Sequence, residues 1–191
     1  MSNEFLDERR KSLEELFFAK QDHELVARLR RQQQVEGDLL ALRVASGIQD
    51  QPLLERLREL GLTAETVAAL TLVPLVEVAW VDGYVAERER EAVLKAADHA
   101  GIEGGSDAYG LLERWLSERP APEVLESWKS YIGALASELG DAALAVLESD
   151  VMERAWKVAE AAGGFLGAAA VSGPERDKLH ELQRTFYHAR S

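Results

Sequence analysis

Apolar residues recur at steps of three and four along most of this chain, while runs alternating with period two are almost absent. That spacing predicts a wholly helical protein, because it places apolar side chains on one face of an α-helix. From about Glu4 to Val44 the positions Leu6, Leu13, Leu16, Phe17, Leu25, Leu29, Leu39 and Leu42 keep this rhythm, with Arg9, Arg10, Lys11, Glu14 and Glu15 on a solvated face. Gly37 is the weak point of that helix, and the polar run Arg30 to Gln34 is expected to stand partly off any core. Ser46-Gly47 and Asp50-Gln51-Pro52 close the segment, and Pro52 suits the first turn of a short helix ending before Gly61.

The next stretch, AETVAALTLVPLVEVAWV, is apolar almost all round and should lie at the centre, with Thr63 as its N-cap and a break at Pro74. Asp82-Gly83 ends it. Helices are then expected over Glu87 to Ala100, from Ser106 or Asp107 to Ser117, from the Pro120 to Pro122 reset to Leu139, and from Asp141 to about Ala162. Ser172-Gly173-Pro174-Glu175 reads as a capping box opening the last helix. The expected division is an N-terminal helical arm over 1–60 and a helical domain over 61–191.

Laying Val85 over Val171 and Glu89 over Glu175 gives two similar passages, each an apolar helix, a small-residue turn, a valine and a Glu-headed helix start. The copies differ where Asp82-Gly83 becomes Ala168-Ala169. Asp82, Gly83, Val85 and Glu89 also occupy the second half of a calcium-loop pattern, but Val78 and Trp80 stand where its first oxygen ligands belong. An ordinary calcium loop is therefore rejected. Two readings remain for the turn. Either Asp82 and Glu89, with Glu77 as a third carboxylate, hold a divalent cation, or glycine permits a left-handed turn and the acids serve backbone amides and a helix N-terminus.

AWVDGYVAERE, with Ala79, Asp82, Gly83, Val85 and Glu89, resembles the TerB-like family of tellurite-resistance and stress-associated proteins, over roughly residues 62–188. AAGGFLGAAAVSGPE is the fainter echo. The resemblance implies an all-α bundle built as a pseudo-repeat, with acids near the Asp-Gly turn binding divalent metal. Glu77, Asp82 and Glu89 are the positions that match. The opening FLDERRKSLEELFFAKQDHELVARLRR is similar to the start of the small helical inhibitor subunits of alphaproteobacterial ATP synthase, which implies a partner-binding helix. Adjacent Phe17 and Phe18 point about 100° apart, so one of them is expected to meet another chain or the domain body.

Charge narrows the partners. A net charge of -12 repels nucleic acid and anionic lipid at long range. No cysteine is present, which removes disulfides and thiolate chemistry. The charged start and the lack of an apolar run near 18 residues give no expectation of a leader or membrane span, and the cytoplasm is the expected location. His23, His99, His180 and His188 form no zinc motif, and Asp177 with His180 lacks the second pair that a di-iron bundle needs. The four tryptophans fall on apolar faces and are expected in the core.

Together these features predict a non-enzymatic binding module with a divalent-cation site at Asp82, Glu89 and Glu77 and no catalytic residue. A protein partner is expected, with self-association through residues 1–45. The rivals are a metal-dependent enzyme in which His99, His180 or another acid converges on Asp82, and a pure interaction subunit acting through its first helix.

Overall fold

The computed structural model describes residues 2–162 and 171–190, with side chains described over 24–161 and 171–190. Among these residues the protein is all-α, with no strand. The helices are α1 (Ser2–Ser46), α2 (Gln51–Glu59), α3 (Val73–Ala79), α4 (Glu87–His99), α5 (Asp107–Ser117), α6 (Pro122–Ala162) and α7 (Gly173–Ala189).

The chain packs as two units, Met1–Leu40 and Ala41–Ser191. The boundary expected near residue 60 differs from this division. Leu53, Leu54 and Leu57 of α2 are buried, and α2 packs on α6. In the first unit the side chains from Glu24 to Gln34 are all exposed. Phe17 and Phe18 lie outside the described side chains.

Local chemistry sets the ends of the elements in the second unit. Asp50 accepts from the Leu53 amide at 3.3 Å and Pro52 sits in the first turn of α2. Ser106 accepts from the Tyr109 amide at 3.2 Å and starts α5. Thr63 does not start a long α-helix, contrary to the expectation. Its backbone N–H donates to Thr66 Oγ1 at 2.8 Å, and Val67–Leu72 winds as a 3₁₀ helix. Pro74 then stands in the first turn of α3, where its missing N–H costs nothing.

All seven residues of α3 are buried, Glu77 included, so the predicted central segment is the middle of the unit. It packs against α6, which also carries α4 and α7. Trp128 of α6 and Phe186 of α7 are fully buried and meet edge to face, with ring centres 5.8 Å apart. Trp115 is buried as expected, whereas Trp80 and Trp156 are half-buried. The Trp80 indole donates to the Trp115 carbonyl at 2.7 Å and ties the end of α3 to α5.

Assigned as one element, α6 is broken at Gly140, whose φ of 72° and ψ of 165° belong to a region reserved for glycine. This is the break expected there. By length and a hydropathy of 1.2, Pro122–Ala161 is the one described segment able to cross a membrane. Glu138, Asp141 and the open backbone at Gly140 interrupt its middle, which a hydrocarbon core disfavours.

Candidate functional site

The turn after α3 is built as the sequence suggests. Gly83 has a φ of 85°, and its N–H donates to the Trp80 carbonyl at 3.0 Å. An added Cβ would meet no atom there, so the backbone conformation, not space, favours glycine. Asp82 is exposed at this turn. Four residues on, Ala86 is the N-cap of α4 but has no polar side chain with which to cap it. Glu89 reaches back instead, and its Oε2 accepts from the Ala86 amide at 2.7 Å.

The start of α7 repeats this arrangement. Ser172 Oγ accepts from the Glu175 amide at 3.3 Å, and Glu175 Oε2 accepts from the Ser172 amide at 2.6 Å. Both carboxylates are withdrawn from solvent, Glu89 to 5% exposure and Glu175 to 3%. Residues 163–170, including Ala168 and Ala169 of the fainter echo, lie outside the described residues.

Glu89 feels the charge of Glu175. Burial pushes the Glu89 carboxyl up to about 7; the Ala86 hydrogen bond opposes this, and the charges of Glu175 and Asp82 add to it. Glu175 Oε1 is buried and has no hydrogen-bond partner among the described residues. A buried oxygen with an unused lone pair costs about 1–3 kcal/mol, and more when charged. The site is thus two buried carboxylates at two helix starts, each with one oxygen committed to a backbone amide, and with Glu175 Oε1 left without a hydrogen-bond partner among the described residues.

Glu77 has a different setting from the other two acids proposed with it. It is buried at the centre of α3, 3.7 Å from Lys178 Nζ and 4.0 Å from Arg119 Nη2. Lys178 also binds Glu181 at 2.7 Å, and Glu181 binds Lys129 at 3.1 Å. The charge of Glu77 is therefore already met by protein cations, which is a structural use. Sequence reasoning treated Glu175 only as a capping residue. The signal was present in its alignment with Glu89, but its burial was needed to read it.

Among the described residues no three carboxylate or imidazole groups come together as a metal-ligand cluster. His99 and His180 line separate clefts, and Asp82 lines neither of these. No protein-family model, curated protein or solved structure matches the chain.

Proposed function

We propose that the chain is a non-enzymatic binding module that holds a divalent cation through the carboxylates of Glu89 and Glu175. The observation that carries this reading is the buried, unpartnered Oε1 of Glu175, together with the buried Glu89 carboxyl on which the Glu175 charge acts. Two desolvated carboxylates repel, and a cation between them would remove that cost. Two protein carboxylates are too few for calcium, which takes six to eight oxygens; magnesium or manganese, keeping several waters, suits the donor set better. The resemblance of AWVDGYVAERE to TerB-like proteins, whose matching acids include Glu89 but not Glu175, supports metal binding near this turn and suggests a stress-response setting.

Calorimetry and thermal melting at pH 8 with Mg²⁺, Mn²⁺, Ca²⁺ and Zn²⁺ test it. Saturable heat and a higher melting temperature are expected for the wild type with Mg²⁺ or Mn²⁺, and both should vanish in Glu175→Gln. No heat and no shift with any of the four ions would end the cation reading.

A protein-binding role for the arm is favoured by a separate observation: Leu25 and Leu29 are 54% and 50% exposed, one helical turn apart, with Val26 bare beside them. Residues 1–40 hold nine acids and seven bases, whereas residues 41–191 hold 25 and 15. Two copies can therefore meet along their arms with far less repulsion than their bodies would impose. A Leu25→Glu, Leu29→Glu double variant should have half the solution mass of the wild type. A wild type that sediments as a monomer at high concentration would remove self-association.

A further inference from the structure

The second unit carries a local reversal of charge between α4 and the second half of α6. There Lys95 and His99 of α4 face Arg154 and Lys157 of α6 across a cavity of about 460 Å³. The cavity exists because Ala92 and Ala96, one turn apart on α4, are too small to fill the space opposite the long side chains of α6. Two carboxylates share the lining, but they do not cancel the cations. Glu153 is held by Lys157 at 2.6 Å, and that contact keeps its carboxyl below the usual carboxylate range. The side chains of Lys95 and His99 make no hydrogen bond or ion pair with any described residue, and Arg154 acts on Glu153 through its charge, so the lining holds three permanent cations and an imidazole against Asp150 and Glu153.

We propose that this cavity is a binding site for a small oxyanion, the phosphate or carboxylate group of a small molecule. The cavity is large enough for a compact metabolite, within the usual range for small ligands. The Arg154 guanidinium offers a planar fork of donors matched to two oxyanion oxygens, Lys95 adds a mobile point charge, and His99 adds a ring N–H. Asp150 on the same wall would accept from a hydroxyl or ammonium group, so an anion that also carries a donor should bind best. The surrounding acidic surface repels anions at a distance, and the site acts only within a screening length of its cations. The site shares no residue with the Glu89 and Glu175 pair, so either proposal can fail alone.

The test is a titration of the full chain with inorganic phosphate and with citrate at constant ionic strength, followed by amide chemical shifts. Saturable shifts confined to α4 residues 92–99 and α6 residues 150–157 are expected, with the two ions reporting whether phosphate or carboxylate is preferred. Arg154→Gln should bind roughly tenfold more weakly, the loss of about one charge-assisted contact. Its unchanged spectrum elsewhere would show that it folds, and Lys95→Gln gives a second reading if it does not. Shifts that chloride reproduces at equal ionic strength, or that survive in both variants, would overturn the proposal.

Discussion

Replacing Glu89 with glutamine is expected to stabilise the protein at pH 8 and to leave its stability nearly unchanged at pH 5. The Glu89 carboxyl titrates near 7 when folded, against an ordinary value of 4.5. A carboxyl whose folded pKa is raised favours the native state while it is protonated. Its contribution is complete below about 4.5 and is lost as the pH rises through 7. The loss amounts to up to about 3 kcal/mol. Glutamine keeps an oxygen for the Ala86 amide and carries no charge, so it removes the cost without removing the cap. The gain at pH 8 should appear as a rise in melting temperature of roughly 5–10 °C. Equal melting temperatures for the two proteins at pH 8, in metal-free buffer, would mean that burial and the Glu175 charge do not act on Glu89 as argued. Added Mg²⁺ should narrow the gap, because only the wild type retains both carboxylates.

The second large effect is in the core. Trp128→Ala should cost about 3–5 kcal/mol in chemical denaturation, since a fully buried indole at the junction of α6 and α7 leaves a cavity that the neighbouring helices cannot close. Part of that loss is its edge-to-face contact with Phe186, worth about 0.5–1.5 kcal/mol beyond area. Combining Trp128→Ala with Phe186→Ala should therefore cost less than the two single losses added together. A loss under 1 kcal/mol for Trp128→Ala would show that the helices around Trp128 close over the space it leaves.

The elements that local chemistry decides were legible in the sequence. Pro74 starts α3, Gly140 interrupts α6, and the Ser172 and Glu175 box opens α7, because each depends on a backbone donor, a dihedral or a cap within four residues. The stretch after Thr63 was less legible, since its apolar run suits an α-helix and a 3₁₀ helix alike. Among the site acids, the sequence brought out Glu89 through its turn but could not separate it from Glu77. The cations that meet Glu77, Lys178 and Arg119, come from far downstream and reach it only through packing. Glu175 was hidden for the same reason: a capping glutamate at the surface and one withdrawn to 3% exposure look alike until the fold buries it.

Because Glu89 and Glu175 each hold the first amide of their own helix, neither carboxylate can rotate outward without fraying a helix start. Anything seated between them becomes a removable rivet joining two turns that are distant in sequence. Hydrogen exchange at Ala86 and Ser172 should then slow in concert when the rivet is in place.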